Sequence, residues 1–311
     1  VAYRLKPNRP LGGEFKRIVD RQLAGAIDNL HATGDPHSDA AVHKARRHIK
    51  KIHAAIDLVR GPLGEAYWPF NERMREVHRQ LGSIADGESA VETVKRLRTQ
   101  VLSRADDQIL ALLQVTLVER VRRVDRKAEI DRVLPAVANT LRLERPHAAA
   151  WTLNVHGMRG IVPGLNRSLR RARKAMLRAR LRPTAAHYHS WRRRVKTLWY
   201  QMRLLDGCCG NQLTHDITRL DALDGCLGEH HNVALVETIL VSEALLQRRV
   251  SARCLRLLRQ YQHHLRRRAA ALGARALRDT PHHVIQRVES YWRASRQRRA
   301  KEAHHPWRRA A

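Results

Sequence analysis

Two stretches of this 311-residue chain repeat one another at a spacing of 146 positions. His43-x-x-Arg46-x-x-x-Lys50 returns as His189-x-x-Arg192-x-x-x-Lys196. The flanking signals keep the same offset. Ser38 and Thr184 suit helix N-caps, because a hydroxyl can accept a bond from an orphan helix N–H. Gly61 and Gly207 suit helix ends, where φ > 0 is often required. Leu81-Gly82 and Leu227-Gly228 read as matching turns, and Asp86 and Asn232 as matching helix caps. A Val-Glu-Thr follows in both (Val91 to Thr93, Val236 to Thr238), one residue out of step. This much agreement at one offset marks a duplicated unit.

Each motif sits in a helical pattern. Val42, Ala45, Ile49, Ile52, Ile56 and Val59 recur at steps of three and four, as do Tyr188, Trp191, Val195, Leu198, Met202 and Leu205. Such a stripe faces neighbouring helices in a bundle. At ~100° per residue, positions 0, 3, 7 and 10 of the motif fall within roughly 80° of one another. His43, Arg46, Lys50 and His53 therefore form one row beside the stripe, and His189, Arg192, Lys196 and Trp199 the other. Neighbours in a row are ~4.5 to 6 Å apart along the axis, close enough to engage one extended anion together.

The fold class is all-α. Gly (16) and Pro (11) are few, and no run alternates as a strand would. Pro36, Pro62, Pro69, Pro146, Pro183 and Pro281 mark breaks or helix starts. Helices are expected over Phe15–Thr33 and Leu165–Arg180 before the motif helices, and over Tyr67–Leu81, Glu88–Leu102 and Asp106–Leu134. Others are expected over Gln212–Cys226, Val233–Gln247, Val250–Leu272 and His282–Arg293. Four or more helices per unit predict two helical bundles, residues 1–145 and 146–311, joined near Glu144–Asn154, with a frayed basic tail from about residue 294.

Charge narrows the function. Sixty Lys and Arg against 29 Asp and Glu leave a formal +31, while 43% apolar residues exclude a disordered basic tail. From Arg145 to Leu205 there are 15 Lys and Arg and no acid. Ordinary surfaces intersperse both signs, so a field of one sign this long implies an anionic ligand. Aromatics are 5% of the chain, too few for the stacking platforms of a single-strand reader. Cys208, Cys209, Cys226 and Cys254 have no CxxC spacing, so neither a zinc site nor a disulfide framework is expected. Together with the lack of a secretory segment or an apolar run of ~18 residues, this predicts a cytoplasmic protein off the membrane. Adjacent histidines such as His230-His231 point ~100° apart on a helix and make poor chelates, so no metal is expected.

The paired H-x-x-R-x-x-x-K helices, the Leu-Gly pair followed by Asp86 or by His231-Asn232, and the Pro281…Tyr291-Trp292-Arg293 stretch resemble the CHAD domain, the conserved histidine α-helical domain. The resemblance covers nearly the whole chain. It implies two four-helix-bundle-like repeats related by pseudo-twofold symmetry, with a basic channel between them that binds inorganic polyphosphate. No ExExK signature of the triphosphate tunnel domain occurs, so the chain is similar to the stand-alone form. It departs from the family at His53 and Trp199, where a basic residue is usual three after the Lys, at Thr197 after Lys196, and at Ala85 before Asp86.

Polyphosphate suits such rows, because affinity for a charged chain comes from many phosphate contacts and counterion release. Arg grips two oxygens through its planar fork, Lys acts as a point charge, and His donates best when protonated. The expected contacts are His43, Arg46, Arg47, Lys50, Lys51 and His53 on the first motif helix, and His189, Arg192, Arg193, Lys196 and Arg203 on the second. Arg17, Arg21, Arg167, Arg170, Arg171 and Lys174 on the preceding helices should complete the wall. Sulfate or phosphate ions would fit the same site. No cofactor is expected, and no P-loop or carboxylate pair near the motifs supplies an enzyme. The alternatives are a non-specific binder of nucleic-acid backbones, a polyphosphate-processing phosphohydrolase, and a protein that delivers polyphosphate to storage granules.

Overall fold

The computed structural model describes residues 3–7, 9–31, 39–84, 86–123, 127–243 and 245–304. All regular structure among them is helical. In chain order the helices are α1 (Leu11–His31), α2 (Asp39–Leu58), the short α3 (Arg60–Leu63), α4 (Tyr67–Ile84), α5 (Asp86–Arg98), α6 (Arg104–Arg123) and α7 (Lys127–Ala149). After them come α8 (Val162–Leu181), α9 (Ala185–Asp206), α10 (Thr214–Ser242), α11 (Arg248–Ala276) and α12 (Pro281–His304). No helix among the described residues is long and apolar enough to cross a membrane.

The two motif helices, α2 and α9, form as their periodicity dictates. Val42, Ala45, Ile49, Ile52 and Ile56 are at most 1% exposed, and Tyr188, Trp191, Val195, Leu198, Met202 and Leu205 at most 4%. Thr184 caps α9 as expected, its side chain accepting from the His187 N–H at 3.2 Å. Ser38 and Pro36 lie outside the described residues.

Packing joins α1, α2, α4 and α7 into one group and α8, α9, α10 and α11 into another. The α5–α6 hairpin belongs by sequence to the first stretch but packs on α10 and α11, and one continuous core runs through both groups. The groups meet where α2 crosses α9 and α8. Gly164 sets that approach, because a Cβ there would stand 2.1 Å from the Leu58 carbonyl oxygen. Gln201 donates to the Ala54 carbonyl across the crossing, 3.2 Å away. The N-terminal segment straps the same junction. Leu5 N–H donates to Leu204 O at 3.0 Å, and the Tyr3 hydroxyl to Lys51 O at 2.7 Å.

Several local expectations need correction. Gln212–Cys226 and Val233–Gln247 are one helix, α10, so Leu227-Gly228 is no turn and Asn232 caps nothing. Leu81-Gly82 likewise lies inside α4, and the Asp86 side chain is outside the described residues. The expected helix over Asp106–Leu134 is two, α6 and α7. Pro146 lies within α7, which carries the helix through most of the expected linker; no carbonyl-seeking N–H is available at a proline, yet burial of Leu141, Glu144 and Ala148 holds that face in place. Gly207 ends α9 with φ −60°, and its role is steric, since a Cβ would meet Leu5 O at 2.6 Å. The expected tail is helical as far as His304, with Trp292 and Ser295 buried.

Candidate functional site

The two basic rows face one another across the α2–α9 crossing. Lys50 of α2 is half-buried, and Arg46, Arg192 and Lys196 stand near it. Burial first, then those three charges, push its ammonium down to about 7. His43 is lowered by burial and then by Lys50, Arg47, Arg46 and Lys196. His189 is lowered by burial and then by Arg193, Arg192 and Lys50. Arg192 is lowered by burial and Arg46, with Asp224 opposing. Each row thus feels the charge of the other across the α2–α9 contact.

The repeated glycines lie against the guanidinium groups. A Cβ on Gly82 would lie 3.8 Å from Arg46 Nη2, and one on Gly228 only 3.4 Å from Arg192 Nη2. Each glycine lies within a helix, α4 or α10, at ordinary contact distance from the motif Arg. The Leu-Gly pairs therefore pack against the motif Arg in both places, inside helices and not at turns.

Behind the rows stand side chains that the sequence reading overlooked. His78 on α4 is pushed to about 3 by burial, then by Lys50 and Arg46. His231 on α10 is pushed to about 3 by burial, then by Arg192 and His189. The His189 and His231 rings lie 4.4 Å apart, with Nδ1 atoms 3.2 Å from each other, so one nitrogen carries the proton that the other accepts. His230, its sequence neighbour, turns away to stack on Tyr188 at 4.4 Å. Asp224 on α10 is buried and binds Lys196 at 2.5 Å. His78 and Asp224 each precede a repeated glycine by four residues, and they keep the 146-residue offset. That signal was present in the sequence.

The basic strip continues beyond the crossing in both directions. On one side Lys51 is lowered by burial and then by Arg203 and Arg47. Its ammonium stands 5.6 Å over the Tyr3 ring, and Arg203 lies 4.7 Å over Trp199. Lys196 covers Trp199 too, at 4.4 Å, so this indole is a prop for cations. On the other side Arg193 neighbours His78 and His189, and Arg194 is lowered by burial, Arg171 and Arg193. Arg167 donates to Asp57 O at 3.1 Å and is lowered by burial and then Arg60. Among the described residues, Arg47, Lys50, Lys51, Arg171, Arg192, Arg193, Arg194 and Arg203 make no ion pair.

Other expected wall residues are engaged elsewhere. His53 is hydrogen-bonded to Asn71 at 3.2 Å and packs between α2 and α4. Arg17 is held in a two-pronged contact by buried Glu14, at 2.8 and 2.6 Å. Arg170 is exposed and bonds Asn166 at 3.2 Å. Arg21 and Lys174 are exposed on α1 and α8, and no interaction given by the structure links them to the cleft. The wall expected from α1 comes from α4 and α10 instead; Arg17 folds back onto Glu14 of its own helix and donates to Arg4 O of the N-terminal strap.

Comparison with known proteins agrees with this architecture. A family model described as CHAD domain matches residues 17–241. The fold is similar to the crystal structure of the CHAD domain from the plant Ricinus communis, with TM-score 0.59 and 20% identity over 89% of this chain and 95% of that one. No curated protein matches the sequence.

Proposed function

This chain belongs to the CHAD domain family, and we propose that it binds inorganic polyphosphate along the α2–α9 cleft without processing it. The observation that supports the reading is the convergence of Lys50, Arg46 and Arg192 with their neighbours at the α2–α9 contact, where burial and like charge oppose the Lys50 ammonium. A cluster of half-buried cations is unfavourable on its own, and an anionic chain threaded between the rows relieves it. Phosphates offer acceptors on every unit, which matches donors spaced along two helices. A ligand without bases also needs no free aromatic face, and Trp199 has none to give under Lys196 and Arg203. Delivery to polyphosphate granules in the cytoplasm would follow from such binding.

Competition between long-chain polyphosphate and duplex DNA at physiological salt tests the reading. Polyphosphate should displace DNA far more readily than the reverse, and its chain length should be unchanged after incubation with Mg²⁺. The dependence of log affinity on log salt should be steep, and Arg46→Ala with Arg192→Ala should flatten the slope by roughly 1.4, two contacts at ~0.7 each. DNA winning the competition, or an unchanged slope in the double variant, contradicts the proposal.

A further inference from the structure

The two motif lysines are not electrically equal. Lys196 on α9 already has an anion, Asp224, at 2.5 Å. Its counterpart Lys50 on α2 has His78 at the position equivalent to Asp224, and makes no ion pair. Asp224 is 6% exposed, fixed in the middle of α10, and its second oxygen, Oδ1, has no hydrogen-bond partner. The sequence motif makes the two lysines look equivalent, whereas packing makes one a satisfied cation and the other an unsatisfied one.

We propose, resting on the reading above, that the polyanion is anchored on the α2 side at Lys50, that Asp224 is a built-in counterion restraining the α9 side, and that anion binding is therefore coupled to proton uptake. Among the described residues, the charged and titratable groups around Lys50 bear on this. From α2 it faces His43 and Arg46, from α4 His78, from α9 His189, Arg192 and Lys196, and from α10 Asp224 and His231. The other helices on α2 meet it elsewhere, α1 through Gln22 at His48 and α8 through Gly164 at Leu58. Only Asp224 in this set favours a charged Lys50, and it is committed to Lys196.

The sign follows directly. With its value depressed to about 7, Lys50 is mostly neutral at pH 8 in the free protein. A phosphoryl group beside it favours the ammonium, so binding draws a proton from solvent. Affinity then falls as pH rises above about 7, by up to ~tenfold per pH unit for one linked proton. At pH 8 His43, His78, His189 and His231, all lowered from 6.5, are neutral and stay out of this window.

Isothermal titration calorimetry with tripolyphosphate and with long-chain polyphosphate at pH 8, in two buffers of different ionisation enthalpy, counts the protons. Wild-type protein should take up a substantial fraction of a proton per binding event. Lys50→Arg, charged at every pH used, should bind with that uptake reduced and with a flatter pH profile between 7 and 9. Lys50→Met should lose the uptake and bind more weakly, which covers the case in which Arg does not fit. Asp224→Asn keeps the shape of the side chain and a bond to Lys196, and should bind ~tenfold more tightly once the fixed negative charge is gone. Proton uptake equal in wild type and in both Lys50 variants, or Asp224→Asn binding no more tightly than wild type, overturns the inference while leaving polyphosphate binding intact. Wild-type protein that binds neither ligand overturns both.

Discussion

At the scale of single residues, the motif glycines connect sequence to site most directly. Gly228 lies against Arg192, and a Cβ there would meet the guanidinium at an ordinary contact distance of 3.4 Å, while Gly in a helix interior is about 0.5–1 kcal/mol worse than Ala. Gly228→Ala should therefore leave the protein as stable as wild type or more so in chemical denaturation, with at most a slight loss of polyphosphate affinity. A loss of stability without a loss of affinity would assign the glycine to packing. Residue identity alone revealed that Gly82 and Gly228 matter, because they recur at one offset. Their purpose was hidden, since a glycine is equally at home in a turn. Arg17 and His53 show the opposite limit: each has the right chemistry and spacing, and each is claimed by a partner, Glu14 or Asn71, that only the packed chain brings near.

Between helices, the cleft depends on how closely α2, α8 and α9 approach. Gly164 lies against the backbone of Leu58, with hypothetical Cβ distances of 2.1 Å to its oxygen and 2.6 Å to its carbonyl carbon. Backbone cannot swing away as a side chain can, so Gly164→Ala should push α8 off α2 and cost about 1–3 kcal/mol in equilibrium denaturation. A variant as stable as wild type would mean that the two helices slide freely. Helix existence was legible here, because apolar positions at steps of three and four need no partner to be recognised. Helix ends were not. The Gln212–Gln247 region carried a Gly-rich, His-rich centre that resembles a loop, yet buried Leu220, Leu223, Leu227, Val233 and Val236 hold it as the single helix α10. Tertiary burial overrides a local dip in propensity.

Across the whole molecule, the charge excess of +31 is spread over many helices, and part of it converges on Lys50. Lys50 binds fewer protons in the folded protein than in the unfolded chain between pH about 7 and the ordinary lysine value of 10.5. Its contribution to stability is therefore fully present above 10.5 and lost as pH falls toward about 7. His43, His48, His78, His189, His230 and His231, all lowered, add a second loss below 6.5. Thermal melting should thus shift downward as the free protein is taken from pH 9 to 7 to 5. Lys50→Met should be more stable than wild type at pH 7, by about 1–3 kcal/mol, and lose the part of the trend between 7 and 9. A wild-type melting temperature independent of pH, or a Lys50→Met protein less stable at pH 7, would contradict this picture of a strained cationic centre.

The sequence by itself determined that the protein is helical, that one motif recurs in it at a fixed offset, and that each motif helix carries a row of cations beside an apolar stripe. Those properties are local, written in steps of three and four residues and in one fixed offset. Which cations meet, and which are already spoken for, was decided only by the crossing of α2 with α9 and by the seating of α4 and α10 behind them. Charge acts through space and burial, and neither is encoded by spacing along the chain. Lys50 and Lys196 are therefore equal in the sequence and unequal in the fold.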